Sequence, residues 1–200
     1  MNFKIIGLTG PSGSGKTTVC QVARVLNIAV LNADLIAREV TVTGSPVLPQ
    51  LQMFFGKEIL QSDGSLDRHV LAQRAFVSRE HTETLNNIIF PFITERVLFY
   101  IEKFKKSGNK ALILDAPTLF ESGCDSLCDC VIAVLSNEAL RRERIVSRDN
   151  LDEKAANLRL SACQDDDFFK SRTDLIIFNN GSIPELTNSA INTLKNILDK

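Results

Sequence analysis

The chain has 200 residues, with 23 Lys or Arg against 24 Asp or Glu and a formal net charge of −1, a length suited to one α/β domain whose core folds alone. This near-neutral balance leaves no global basic field to attract nucleic acid or anionic lipid, so any anion site must be local. No apolar stretch approaches the ~20 residues of a membrane span, and the N-terminus lacks the basic-then-apolar layout of a signal peptide; a cytoplasmic protein with no membrane or nucleic-acid partner is expected.

The first element is announced by IIGLTGPSGSGKTTVC, residues 5 to 20. The apolar run 3–8 predicts a strand, and Gly10, Gly15, Lys16 and Thr17 complete the spacing G-x-x-x-x-G-K-[ST] of a phosphate-binding loop that opens a helix. Gly10, Gly13 and Gly15 let successive N–H groups turn inward around a polyphosphate. Lys16 then reaches the β- and γ-phosphates, the Thr17 hydroxyl is placed to hold Mg²⁺, and the helix dipole beyond Thr18 favours phosphate. The candidate ATP-binding set is Gly10, Ser12, Gly13, Ser14, Gly15, Lys16, Thr17 and Thr18.

Residues 28–31 read as a short strand ending in Asn32, Ala33 and Asp34, where a helix begins. The carboxyl ends of parallel strands face the ligand crevice of open α/β sheets, so a carboxylate at Asp34 faces the same crevice as the phosphate loop. Aspartate also suits a helix N-cap, and the two roles are compatible. Gly44, Pro46 and Pro49 break the chain before a helix over about 47–60 and the turn QSDGSLDR. From Asp67 to Phe76 the spacing of Val70, Leu71, Ala75 and Phe76 is helical, with Asp67 near its start. A longer helical run over about 80–105 contains Phe90-Pro91, and Pro91 is expected to kink or restart it.

Residues 111–114 form a buried-strand run that delivers Asp115 to its carboxyl end. This resembles the second acidic element of P-loop enzymes, which acts on Mg²⁺ directly or through water; before Pro117 an Asp also suits a turn cap. Residues 130–136 and 174–180 supply the fourth and fifth strands, and an amphipathic helix closes the chain from about Pro184. Five strands alternating with helices predict an α/β fold with a mostly parallel sheet covered on both faces. No internal repeat, low-complexity segment or interdomain linker is visible.

Between the last two strands, Arg141, Arg142, Arg144, Arg148, Arg159 and Arg172 concentrate positive charge. Interleaved with Glu143, Asp152 and Glu153, the run is either a solvated helix face or a lid that closes over ATP, excludes water and neutralises developing charge. Cys124, Cys128 and Cys130 have no CxxC pair and no nearby histidine, a pattern of free thiols in a reducing compartment rather than of a zinc site. Cys20 and Cys163 read as small core residues.

Taken together, several segments resemble one family, dephospho-coenzyme A kinase. The family's opening GLTGGIGSGKS is matched by GLTGPSGSGKT, and its DAD-x-IAR-x-V by Ala33-Asp34-Leu35-Ile36-Ala37-Arg38-Glu39-Val40. Its dG-x-LDR is matched by Asp63-Gly64-Ser65-Leu66-Asp67-Arg68, with Leu71 and Phe76 in register, and its D-x-P-L-L-F-E by Asp115-Ala116-Pro117-Thr118-Leu119-Phe120-Glu121. Gln164, Lys170, Asp174, Asn179 and Gly181 follow the family's C-terminal order, so the likeness covers essentially the whole chain. Three departures stand out: Phe90-Pro91 where the family commonly has His-Pro, Leu160 where it usually has an arginine, and Thr118 in place of a leucine.

The resemblance implies a P-loop NTPase-type five-stranded sheet in a single kinase domain over residues 1–200, with a helical acceptor-binding region at about 44–105 and an arginine-rich lid at about 141–170. It implies ATP-dependent phosphorylation of the ribose 3′-hydroxyl of dephospho-coenzyme A, giving coenzyme A and ADP, by a monomer or small homo-oligomer that uses ATP and Mg²⁺. Lys16, Asp34, Arg144 and Arg148 are then the catalytic candidates, and Asp34, Arg38, Arg68 and Asp115 the acceptor-binding ones. Thr17 and Asp115 are the magnesium candidates, Asp115 directly or through water. Two other readings share parts of the pattern. A kinase acting on a nucleoside or nucleoside monophosphate leaves LDR and D-x-P-x-L-F-E unexplained, and an ATP-binding regulatory protein leaves Asp34 and the arginine lid without an acceptor to serve.

Overall fold

The computed structural model describes residues 3 to 199. Five strands, β1 (Lys4–Thr9), β2 (Ala29–Asn32), β3 (Ala111–Asp115), β4 (Cys130–Leu135) and β5 (Leu175–Phe178), form one sheet in the order β2-β3-β1-β4-β5. Among the described residues the helices are α1 (Lys16–Val25), α2 (Ala33–Glu39), α3 (Val47–Phe55), α4 (Arg68–Ala75), α5 (Arg79–Lys106), α6 (Glu138–Asp149), α7 (Glu153–Ser161), α8 (Asp166–Lys170) and α9 (Ile183–Leu198). The chain divides into two compact units, one made of Met1–Leu31 with Lys103–Lys200 and the other of Asn32–Glu102.

Parallel registers pair Leu8 with Asp115, Thr9 with Ala133 and Leu135 with Phe178, which brings the carboxyl ends of β1, β3, β4 and β5 to one edge. From β1 the chain passes to β2 and β3 on one side and to β4 and β5 on the other. The strand order therefore reverses beside β1, the switch point where open α/β sheets bind ligands. Alternate residues of β4 serve opposite layers. Ile132 and Val134 join Val19 and Ala23 of α1 and Leu186, Ala190 and Leu194 of α9, whereas Ala133 and Leu135 pack with Phe169 of α8. Burial on both faces is why β3 and β4 read as unbroken apolar runs rather than alternating ones. A capping box fixes the start of α9: the Glu185 amide donates to Ser182 Oγ, and the Ser182 amide donates to Glu185 Oε2 at 2.6 Å.

The second unit has its own core, in which Val47, Leu48, Leu51 and Phe55 of α3 meet Ile59, Leu71, Ala75 and Ile88. The expected helix over 47–60 is shorter: α3 stops before Gly56, and a single 3-10 turn covers Lys57–Ile59. The turn after it is closed by an antiparallel bridge between Leu60 and Leu66, with Asp63 Oδ1 accepting from both the amide and the hydroxyl of Ser65.

Pro91 does not restart the long helix; α5 runs through it. Proline removes one N–H and leaves the Asn87 carbonyl without its helical donor, at a cost of about 3 kcal/mol. The buried positions Ile88, Ile93, Val97 and Ile101 lie on both sides of Pro91 and hold the helix to its core. Among the described residues no helix is long and apolar enough to cross a membrane.

Candidate active site

The phosphate loop joins β1 to α1 at the switch point. Gly10 has φ 134°, and a Cβ there would collide with the carbonyl oxygen of Val134 in β4. At Gly13, whose φ is 79°, a Cβ would stand 2.7 Å from the Arg141 carbonyl oxygen of α6. The loop is glycine-rich here because two neighbouring backbones approach it more closely than any side chain permits. Lys16, the first residue of α1, folds back so that Nζ donates to the carbonyl of Gly10 at 2.6 Å and, more weakly, to that of Pro11 at 3.4 Å. Its ammonium is thus held at the mouth of the loop by carbonyls that a phosphate oxygen would replace. Thr17 is exposed in the first turn of α1, and Ser12, Gly13, Gly15 and Thr18 are half-buried.

Segments far apart in sequence brace this loop. Asn179, just beyond β5, is buried and donates through Nδ2 to the Ser14 carbonyl at 2.7 Å. Ser136, just beyond β4, donates through Oγ to the Asn179 carbonyl at 2.6 Å. Arg144 of α6 closes the set: Nη1 donates to Ser136 Oγ at 3.0 Å and to the Gly13 carbonyl at 3.3 Å, and Nη2 to the Asn179 carbonyl at 3.1 Å. The sequence grouped Arg144 with Arg148, but the structure gives them different surroundings. Arg148 grips Asp149 through two bonds of 2.8 Å, and Arg159 adds a third donor to Asp149 at 2.6 Å. The Arg148 hydrogen bonds hold the Asp149 carboxyl below the usual carboxylate range. Leu160, where the family usually has an arginine, is buried with Ile145 and Ala156 and so packs α7 against α6.

Asp115 ends β3 opposite Leu8 of β1 and is 9% exposed. Burial, reinforced by the neighbouring Asp115 carboxylate, pushes the Cys20 thiol up to about 12. This thiol is inert and sits in the core as the sequence predicts. Burial likewise pushes Cys128 up to about 12. Cys163 corrects the core expectation: it is half-buried at the end of α7, where its Sγ donates to the Arg159 carbonyl at 3.4 Å.

The second unit carries the remaining candidates. Asp34 is not the cap of α2; that role falls to Asn32, whose side chain accepts from the Leu35 amide at 3.0 Å. Asp34 is therefore not occupied in capping, and it shares a helix face with Arg38 four residues on, both exposed. Among the described residues neither side chain makes a hydrogen bond or ion pair. Asp67 caps α4 by accepting from the amides of His69 and Val70, which places Arg68 at its first position. Arg68 Nη2 donates to Thr41 Oγ1 at 2.7 Å and to the Arg38 carbonyl at 3.4 Å. Partial burial and the adjacent Arg38 charge both pull the Arg68 guanidinium below its ordinary value. Sequence reasoning named Asp34, Arg38 and Arg68 but missed Thr41, whose signal would have been a buried hydroxyl following the IAR segment.

Comparison with known proteins follows the same lines. A family profile described as Dephospho-CoA kinase matches residues 4–185. The chain is 38% identical over 192 residues to a Dephospho-CoA kinase of Corynebacterium glutamicum, covering 96% of this chain and 98% of that protein. Among solved structures it superposes on a dephospho-CoA kinase from Campylobacter jejuni with a TM-score of 0.72 and 25% identity, covering 98% of this chain and 97% of that one. It also superposes on TT1252 from Thermus thermophilus with a TM-score of 0.83 and 26% identity over 99% of each chain.

Proposed function

The chain belongs to the dephospho-CoA kinase family, and on that premise we propose how its residues share the ATP-dependent phosphorylation of dephospho-CoA in coenzyme A biosynthesis. The observation that carries the assignment is that one continuous family match, residues 4–185, spans both the phosphate loop and the exposed α2–α4 face that holds Asp34, Arg38 and Arg68.

The loop amides from Gly10 to Thr18 bind the triphosphate, and Lys16 leaves the Gly10 carbonyl to follow the charge on the transferring phosphoryl group. The acceptor's ribose 3′-hydroxyl attacks the γ-phosphorus. An O–P bond forms, the bond from that phosphorus to the β–γ bridging oxygen breaks, and ADP leaves. Asp34 accepts the hydroxyl's hydrogen bond and then its proton. Arg38 and Arg68 hold acceptor phosphates, as planar donors suited to such anions. Arg144 keeps the Gly13 and Asn179 carbonyls in place, and Arg148 moves from Asp149 to phosphate when the nucleotide is bound.

Magnesium suits the donor set. The Thr17 hydroxyl and Asp115 carboxylate are hard oxygen ligands, and this ion keeps waters and phosphate oxygens in preference to a dedicated protein cage. Thr17 and Asp115 would hold the ion, which when bound would supply positive charge to offset the charge developing on the transferring phosphate. Five free cysteines support a reducing, cytoplasmic setting.

An acceptor panel tests the reading. ATP consumption should depend on dephospho-CoA and be at background level with nucleosides, nucleoside monophosphates or no acceptor; equal turnover on a nucleoside monophosphate would assign the chain to another substrate.

A further inference from the structure

Arg141 lies in the second turn of α6, four residues before the fully buried Ile145 and on the same face. It is 7% exposed, yet its Nε and Nη1 are buried with no hydrogen-bond partner, and among the described residues its side chain forms no ion pair. A buried guanidinium without a counter-charge is costly, and a native protein keeps such a group where an absent partner completes it. Its place in the fold identifies the partner. The Arg141 backbone is packed directly against Gly13 of the phosphate loop, with its carbonyl oxygen 2.7 Å from where a Gly13 Cβ would be. The next loop residue, Ser14, also holds a fully buried hydroxyl with no partner. A buried, unpartnered guanidinium on the residue whose backbone abuts Gly13, together with an unpartnered hydroxyl on the adjoining Ser14, points to an anion that is bound at this loop in the working state.

We propose that Arg141 is an additional nucleotide-binding residue, whose Nε–H and Nη1–H donate to phosphate oxygens of ATP at the Gly13–Ser14 bend. The proposal rests on the kinase reading and deepens it. The charge run in the sequence concealed this residue, because Arg141 looks like the other arginines of α6 and only the burial pattern separates them.

Two predictions distinguish a binding arginine from a packing one. If Arg141 waits for phosphate, Arg141→Met removes an uncompensated buried charge while keeping the apolar stem, so the ligand-free protein should melt at the same temperature or higher. Its affinity for ATP, measured by calorimetry without acceptor, should fall about ten- to a hundredfold, the size of one or two charge-assisted hydrogen bonds. Inorganic tripolyphosphate should lose affinity by the same factor, and adenosine should lose none. Arg141→Gln, measured in parallel, guards against a misfolded methionine variant and should show the same loss. Unchanged ATP affinity in either folded variant, or a loss that falls on adenosine instead, overturns the proposal. Wild-type protein that binds no ATP would overturn the kinase reading itself, a different result from wild-type binding that the variants share.

Discussion

The phosphate loop and the α2–α4 face are both cationic, but they hold their charges in opposite ways. Around the loop Lys16 is engaged on the carbonyls of Gly10 and Pro11 and Arg144 on Gly13, Ser136 and Asn179, whereas among the described residues two nitrogens of Arg141 have no acceptor. On the α2–α4 face Asp34 and Arg38 are exposed without side-chain partners among the described residues, and Arg68 is only lightly tied to Thr41 and a carbonyl. The loop is a preorganised cradle whose geometry comes from backbone and from distant braces, so its chemistry and its fold are linked. The helical face presents charges at little cost to stability, so its residues can be changed for function alone.

This contrast is best tested by substitutions that separate activity from stability. The largest effect on rate should come from Lys16→Ala, which removes charge stabilisation at the transferring group: about a thousandfold loss in kcat/KM, or about 4 kcal/mol, with a melting temperature close to wild type. Steady-state kinetics beside calorimetry measures both, and turnover like wild type in the folded variant would remove Lys16 from the mechanism. Gly10→Ala should damage stability instead, by about 3 kcal/mol, because its Cβ collides with the Val134 carbonyl in a conformation that side chains disfavour. A denaturant titration with an unshifted midpoint would mean that the loop is not clamped by β4.

On the helical face Asp34→Asn should lose about a hundredfold in transfer while keeping both ATP affinity and stability, since Asn32 and not Asp34 caps α2. Loss of ATP affinity along with activity would make Asp34 part of the nucleotide site. Arg148→Ala should lower transfer about tenfold, the share of one phosphate contact, and change stability little because Arg148 itself is exposed to solvent and Arg159 still pairs with Asp149. A drop in melting temperature with normal transfer would return Arg148 to a surface ion pair.

A separate effect falls on stability alone, through pH. Cys20 is raised to about 12 in the fold, so it keeps its proton there while an unfolded thiol loses it near pH ~8.5. Stability from this group is fully present below pH ~8.5 and declines as pH rises towards 12, by at most about 1.4 kcal/mol per pH unit. Cys20→Ala should flatten that decline between pH 8.5 and 10, and an unchanged slope would show that another group, Cys128 being the first to consider, sets it.

The contrast also explains which features were legible in the sequence. The loop was readable because its ligands are contiguous and each glycine occupies a fixed place in one motif. The central strands β3 and β4 were readable because burial on both faces makes them plain apolar runs. The brace of Ser136, Arg144 and Asn179 was not, since residues 35 or more apart in Arg144 and Asn179 come together only through the parallel pairing of β4 with β5. The sequence left open whether Pro91 kinks or restarts the long helix, because local propensity says break while the apolar stripe on both sides says continue; the structure excludes the restart. Arg141 was hidden for a related reason: the segment between β4 and β5 carries six arginines, and only tertiary packing shows that one of them is buried.

The central claim is that this chain transfers the γ-phosphoryl group of ATP to dephospho-CoA. Mass spectrometry of the products after incubation with ATP, Mg²⁺ and dephospho-CoA tests it most directly. The account predicts coenzyme A and ADP in equal amounts, with phosphorus NMR placing the new phosphate on the ribose 3′-oxygen. ADP and inorganic phosphate beside unaltered dephospho-CoA would contradict it.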